Sequence, residues 1–177
     1  MMPPSCQRDP LVVAGQSPSE GGALPAAPVM SEYILKVSFI AARVRLVNLI
    51  SGGSLVPASI DAYACGLPAL ARGAPADDGP ARVTVRIAEP AGTAGVVILP
   101  LRWHARGIGG QVVRVLDAEL MLVAASAGRT LLRLEGEFRL PFAVSSSEPA
   151  RSELPRRAAT ASMNYLLDHV RNSLAGP

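Results

Sequence analysis

Two histidines are the first candidates for acid and base chemistry in this chain of 177 residues. Imidazole titrates near neutral pH and often serves as a general acid or base, so His104 and His169 need an interpretation. His104 alternates with apolar Trp103, which predicts that it lies on the outer, solvated face of a strand. His169 lies off the apolar stripe of the last predicted helix. We therefore interpret both histidines as surface residues.

Two carboxylates form the other candidate pair for acid and base chemistry. Asp117 and Glu119 are two residues apart and so share one face of a predicted strand. Arg102, Arg114 and Arg133 are available on the same or neighbouring strands. We expect the two carboxylates to be ion-paired surface groups rather than a catalytic pair.

The sequence contains few residues suited to thiol, metal or phosphate chemistry. Cys6 and Cys65 are the only cysteines, and neither has the neighbours or spacing of a metal site or a disulfide. We expect Cys65 to be a small buried hydrophobe. The glycine-rich residues 107–110 precede a strand rather than a helix, so they predict a turn and not a phosphate loop. The sequence predicts no catalytic residue, no metal and no cofactor.

The overall composition argues against a nucleic-acid partner and a membrane span. The formal net charge is +3, with sixteen scattered arginines, one lysine and only 4% aromatic residues. A nucleic-acid-binding protein usually shows a basic stripe or a recognisable module. The start of the chain lacks the pattern of a signal peptide, and no apolar run approaches the length of a membrane span. We expect a cytoplasmic protein.

The chain divides into a leader and one domain. Residues 1–29 are rich in proline, glycine, serine and alanine and have no periodic pattern, which predicts a disordered extension. Alternatively, translation starts at Met30 and the leader is not made. Residues 30–177 are long enough to form one domain with a hydrophobic core.

The predicted elements follow from hydrophobic periodicity and turn residues. The second helix is expected to begin after Ser59 as its N-cap and to end near Gly66. In order, the elements are a strand at 32–40, a helix at 41–50, the second helix, strands at 81–89, 94–106, 112–124 and 129–140, and a helix at 156–174. Strands gathered in sequence and covered by an amphipathic terminal helix predict an α+β fold with a mostly antiparallel sheet.

Several segments resemble the START-like superfamily, also called SRPBCC, which has the helix-grip fold. They are the opening strand at 33–39 (YILKVSF), residues 118–122 (AELML), the turn Gly128-Arg129-Thr130, the strand at 131–138 (LLRLEGEF) and the amphipathic terminal helix. The turn is similar to the family's usual Gly-Gly-Thr. Residues 43–49 and 100–106 look like those of small uncharacterised actinobacterial members. The resemblance implies a curved antiparallel sheet wrapped around a long C-terminal helix, with two short helices after the first strand.

The resemblance also implies a cavity between the sheet and the C-terminal helix that holds an apolar or amphipathic ligand. Strand parity and helix spacing give the side chains that point into it. The predicted ligand-binding residues are Leu99, Leu101, Trp103, Leu116, Leu120, Leu134, Phe138, Met163 and Leu167. Leu122, Leu132, Leu166 and Val170 are expected to point inward with them. An ordinary hydrophobic core would show the same pattern, so cavity and closed core both stay open.

Three functions are compatible with these patterns. The first is a START-like domain that binds a small hydrophobic or amphipathic ligand, as a carrier or sensor, without catalysis. The second is an enzyme of the polyketide cyclase or aromatase type, for which Tyr63, Asn48 and Ser38 are the polar candidates. The third is an interaction module with a closed core, which could pair with itself as a homodimer.

Overall fold

A computed structural model describes residues 26–66, 83–106, 110–141 and 153–176 of the chain. These residues form an antiparallel sheet, two helices that follow its first strand and a long C-terminal helix. The elements are β1 (Ala26–Leu35), α1 (Phe39–Ser51), α2 (Leu55–Gly66), β2 (Val83–Ile87), β3 (Ala91–Thr93), β4 (Val96–Arg106), β5 (Val112–Ser126), β6 (Arg129–Arg139) and α3 (Leu154–Ala175).

The sheet has six strands and confirms the predicted α+β, helix-grip fold. Its strand order is β1-β6-β5-β4-β2, and β3 pairs with the same edge of β4 as β2 does. The long strands β4, β5 and β6 form its centre, and the tight turn between β5 and β6 has Gly128 at a φ of 73°. Helix α3 packs against β1, β6 and the two shorter helices. The core lies between α3 and the inner face of the sheet.

The first strand lies earlier in the chain than its predicted range of 32–40. β1 begins at Ala26, and residues 26–29 of the predicted leader are paired with β6. The strand ends at Leu35, and α1 begins after Ser38, whose hydroxyl accepts a hydrogen bond from the Ala41 amide and caps the helix. The predicted alternation of faces is observed at residues 32–35, whereas residues 36–40 are not part of the strand. Residues 1–25 lie outside the described residues, so the disordered leader stays a prediction.

The start of the second helix was also predicted wrongly. α2 begins at Leu55, and Ser59 is a buried residue inside the helix rather than its N-cap. Pro57 lies in the first turn, where proline is tolerated because the first amides have no partner within the helix. The short strand β3 was missed because three residues carry no recognisable pattern.

Helix α3 is tied to α1 at its C-terminal end. The Arg45 guanidinium donates hydrogen bonds to the backbone oxygens of Leu174 and Ala175, at 2.6 and 2.7 Å. These carbonyls belong to the last turn of α3, whose final oxygens have no partner within the helix. Arg45 therefore satisfies the end of α3 and fixes α1 beside it.

The described helices were also compared with what a membrane span requires. None of them alone is both long enough and apolar enough to cross a bilayer. α1 and α2 reach that length and composition only when taken together, and they are bent by 84° at the break between them.

Candidate functional site

The predicted inward-facing residues all lie inside the molecule. Each of the nine predicted ligand-binding side chains is at most 2% exposed, and Trp103 is completely buried. Leu122, Leu132, Leu166 and Val170 are equally buried. The predicted orientation of these side chains is therefore observed, and their role in ligand binding stays a prediction.

A bulge in β5 lies directly opposite the tryptophan. Trp103 pairs with Leu116 while the next residue, His104, pairs with Arg114, so Val115 is an extra residue between the two pairs. Val115 and Leu116 are both buried although they are consecutive. Bulges of this kind bend a strand and redirect its side chains. Here the bulge adds a second apolar side chain to the core beside Trp103.

Tyr63 and Trp103 meet in the interior. Their rings are in an edge-to-face arrangement, with centroids 6.4 Å apart and planes at 85°. This geometry is favourable between aromatic rings. The Tyr63 hydroxyl and the Trp103 indole Nε1 are both buried, and neither has a hydrogen-bond partner among the described residues. Buried tyrosine and tryptophan usually pair these groups.

Two serines on the facing helices α2 and α3 also have buried hydroxyls without a hydrogen-bond partner among the described residues. Ser59 precedes Tyr63 by one turn of α2, and Ser162 lies on α3. Both are completely buried, and neither hydroxyl has a partner within the described part of the chain. A Cβ atom on Gly66 would collide with the Ser162 hydroxyl and lie 2.9 Å from the Ala158 oxygen. Glycine at the end of α2 therefore allows the close approach of α3.

These four residues, which we call the interior polar set, are Ser59, Tyr63, Trp103 and Ser162. Leaving a buried polar group unpaired costs about 1–3 kcal/mol, and folded proteins pair nearly all such groups. The buried hydroxyl of Thr130 follows that rule, because it donates to the Val37 oxygen at 2.9 Å. The interior polar set does not, and it lies beside an otherwise apolar wall.

Burial also moves the pKa of the Tyr63 phenol further above neutral pH. Loss of contact with water raises the pKa of its phenol to about 12, because desolvation disfavours the phenolate. The hydroxyl is therefore protonated at neutral pH. Like the indole Nε1–H and the serine hydroxyls, it is an uncharged group able to donate a hydrogen bond.

The acid and base candidates lie outside this region. Asp117 is paired with Arg102 at 3.2 Å and with Arg114 at 2.8 Å, as predicted. Glu119 lies opposite Glu135 and has no ion pair among the described residues, so the predicted pairing of Glu119 is wrong. Its neighbour Glu135 is instead the partner of Arg133, at 2.8 Å.

The remaining predicted polar residues take other positions. His104 lies on the outer side of β4 and His169 on α3, both only partly exposed. Cys65 is exposed at the end of α2, so its predicted burial is wrong. Ser38 caps α1 and Asn48 is exposed, which leaves Tyr63 as the one buried member of the three polar candidates.

Sequence reasoning missed two members of the interior polar set. Ser59 was interpreted as a helix cap. Ser162 follows Ala159 by three residues and precedes Leu166 by four, so it lies on the apolar stripe of α3. The position of Ser162 on an otherwise apolar stripe was the sequence signal that could have indicated its burial.

A separate groove lies on the surface beside α1. It has a volume of about 350 Å³. Its lining residues are Phe39, Ile40, Arg43, Val44, Val47, Asn48 and Ala94. None of the nine predicted ligand-binding residues contributes to it.

Comparison with known solved structures gives a distant structural likeness. No family model matches the chain, and no curated protein matches it. The crystal structure of Zhui aromatase/cyclase from Streptomyces sp. R1128 is similar over 82% of this chain and 94% of that chain, with 11% sequence identity and a TM-score of 0.32.

Proposed function

We propose that the protein binds a small, uncharged, largely apolar molecule between the sheet and α3, and that this molecule carries a hydrogen-bond acceptor such as a carbonyl oxygen. The interior polar set is the observation that supports this function. Ligand sites are mostly apolar and contain a few placed polar groups that orient the ligand. The nine predicted ligand-binding residues would supply the apolar wall, and the interior polar set would supply the polar groups.

The lack of fully buried charged side chains among the described residues supports an uncharged ligand. Every charged side chain in the described part of the chain is at least partly exposed. An ion without a counter-charge is very costly to bury. Tyr63, Trp103 and the two serines can instead donate to a neutral oxygen without any charge being desolvated.

Entry of the ligand requires a conformational change. The nine lining residues are closed to solvent, so a ligand reaches them only when a covering helix moves. The free energy of that opening reduces the apparent affinity, because only the open fraction of the protein is competent to bind. We propose that α2 moves, since it carries two of the four polar groups.

Binding without catalysis is favoured over an enzyme of the cyclase or aromatase type. A general acid or base works best when its pKa lies near the working pH. Burial raises the pKa of Tyr63 to about 12, which leaves it protonated near neutral pH. Tyr63 is thus suited to hydrogen-bond a ligand oxygen rather than to exchange a proton with it.

We propose further that the chain is a divergent START-like protein that acts in the cytoplasm as a carrier or sensor. The order of elements and the long C-terminal helix against the sheet support this. The segments that resemble the superfamily, including the turn at Gly128, support it as well. A closed-core module that forms a homodimer is the alternative.

The test begins with native mass spectrometry of freshly purified full-length protein, followed by solvent extraction and identification of any bound molecule. The proposal predicts a neutral, oxygen-containing apolar compound. Tyr63→Phe removes only the phenolic hydroxyl and should weaken binding of that compound about tenfold, the equivalent of one hydrogen bond. Tyr165→Phe is the matched control because Tyr165 is 41% exposed.

Two results would overturn the proposed function. One is a protein that carries no ligand and shows no thermal shift with a panel of neutral hydrophobic compounds. The other is a bound compound whose affinity is the same for Tyr63→Phe, for Trp103→Phe and for the unmodified protein, since the interior polar set would then have no part in its recognition.

A further inference from the structure

Helix α1 exposes an apolar stripe to solvent. Ala42 and Leu46 form its buried side, and an ordinary surface helix has polar residues on the opposite side. Here Ile40, Val44 and Val47 are 75%, 54% and 43% exposed. Their spacing of four and three residues aligns them along the helix. Isolated exposed apolar residues are common, whereas a contiguous row of them marks an interaction surface.

The groove beside α1 continues this stripe. The three exposed residues line it together with Phe39 and Ala94, and Ala94 belongs to the turn between β3 and β4. Arg43 lies at the same groove and is exposed. We call this surface, consisting of Ile40, Arg43, Val44 and Val47, the α1 face.

The segment that contains the α1 face, between Glu32 and Asp61, carries charge of one sign. Residues 33–60 contain three cationic side chains and no aspartate or glutamate. Arg45 is used to hold the end of α3. Arg43 on the α1 face and Lys36 just before α1 are exposed and have no ion pair among the described residues, which leaves two cations in this segment.

We propose that the α1 face docks onto an anionic lipid bilayer, with α1 lying in the plane of the interface. Helices that lie in this way insert apolar side chains below the headgroups and keep cations at headgroup level. Ile40, Val44 and Val47 provide the inserted side chains. Lys36 and Arg43 provide the attraction to anionic headgroups, which falls as salt screens it.

The composition of the α1 face favours a bilayer over other occupants. A second copy docked through the same face would bring further cations to the interface, without an acidic residue in residues 33–60 of either copy to pair with them. An extended peptide needs partners for its backbone polar groups. The exposed stripe is aliphatic, and Asn48 is the one uncharged polar side chain in the groove lining.

The experiment measures sedimentation of the full-length protein with large vesicles. Phosphatidylcholine vesicles that contain phosphatidylglycerol should bind it, and pure phosphatidylcholine vesicles should bind it more weakly. Val44→Glu should lower the partition coefficient by about tenfold or more, because a carboxylate then replaces an inserted apolar group. Ile34→Glu is the matched control: Ile34 is also 54% exposed but lies on β1.

A charge-reversal pair tests the electrostatic part of the interaction. Arg43→Glu should weaken binding to the anionic vesicles, whereas Arg86→Glu on β2, with the same change in net charge, should have little effect. Unfolding midpoints of all variants are compared first, so that loss of binding is not mistaken for loss of folding.

Three outcomes would overturn the lipid assignment. The first is absence of binding to the anionic vesicles, and the second is an equal loss for Val44→Glu and Ile34→Glu. The third is the discovery of another occupant. A dimer in sedimentation velocity that Val44→Glu dissociates would assign the α1 face to a second copy, and binding to polyglutamate but not to vesicles would assign it to an acidic polypeptide.

Discussion

Two buried polar regions of this molecule differ in how their hydrogen bonds are satisfied. At the junction of β1, α1 and β6, the Thr130 hydroxyl donates to the Val37 oxygen at 2.9 Å. Where α2 packs against α3 and the sheet, the hydroxyls of Ser59, Tyr63 and Ser162 and the indole of Trp103 have no partner among the described residues. Both regions are equally inaccessible to water.

This difference separates a structural polar group from candidate recognition groups. A paired hydroxyl stabilises the fold that holds it, whereas an unpaired one opposes folding by its desolvation. Thr130 joins the end of β6 to the segment that leads into α1, so its role is complete within the chain. The polar groups of Ser59, Tyr63, Trp103 and Ser162 have no such partner among the described residues, and a ligand could supply one.

The largest expected effect concerns the packing around the unpaired groups. Trp103→Ala should lower the free energy of unfolding by about 3–5 kcal/mol, because Trp103 is completely buried and contacts Tyr63. Urea unfolding of ligand-free protein measures this change. A loss below about 1 kcal/mol would show that the interior is loosely packed. The unpaired polar groups would then face an open cavity, unlike the paired Thr130 hydroxyl.

Alkaline titration should reveal the burial of Tyr63. Its folded-state pKa is raised to about 12, above the ordinary value of 10.0, so the folded protein holds the phenolic proton more tightly than the unfolded chain does. The resulting stability is fully present below about pH 10 and is lost as the pH rises towards about 12. The expected loss is on the order of 2–3 kcal/mol.

The variant Tyr63→Phe tests whether this pH dependence arises from the Tyr63 phenol. Without the phenol, the free energy of unfolding should change much less between about pH 10 and pH 12. Tyr165→Phe should retain the dependence of the unmodified protein, because that ring is on the surface. If Tyr63→Phe titrates like the unmodified protein, then the Tyr63 hydroxyl is hydrated and belongs with the satisfied groups.

Sequence periodicity predicted the faces of the elements better than their ends. Alternation placed Leu101, Trp103 and Leu134 correctly inside, because a side chain on the wrong face would expose a large apolar surface. The start of α2 depended instead on local capping, and Ser59 offered a false cap that tertiary packing overrode. Strand β3 is defined by its pairing with β4. The sequence of three residues is too short to predict that contact.

The apolar part of the candidate site was predicted, and half of its polar part, Ser59 and Ser162, was missed. Leucine and phenylalanine on alternating positions indicate an interior directly. Serine gives no such indication, since it is also common in caps and turns. Only the packing of α2 on α3 shows that Ser59 and Ser162 are buried without partners.

The smallest expected effects compare the two kinds of buried hydroxyl directly. Thr130→Val keeps the shape of the side chain but removes the hydrogen bond and leaves the Val37 oxygen without it. The free energy of unfolding should fall by about 1–3 kcal/mol. Ser162→Ala removes a hydroxyl that has no partner in the described structure, so the free energy should stay within about 0.5 kcal/mol or rise slightly.

Urea unfolding of both variants, with and without the compound identified by extraction, completes the comparison. In the ligand-free protein, a cost for Ser162→Ala as large as that for Thr130→Val would mean that Ser162 is already paired, and it would remove Ser162 from the interior polar set. With the compound bound, Ser162→Ala should reduce the ligand-induced stabilisation while Thr130→Val leaves it unchanged, because stabilisation by a ligand depends on its affinity for the folded state. The two hydroxyls are then distinguished by their partners: Thr130 bonds the segment between β1 and α1, and Ser162 bonds a ligand.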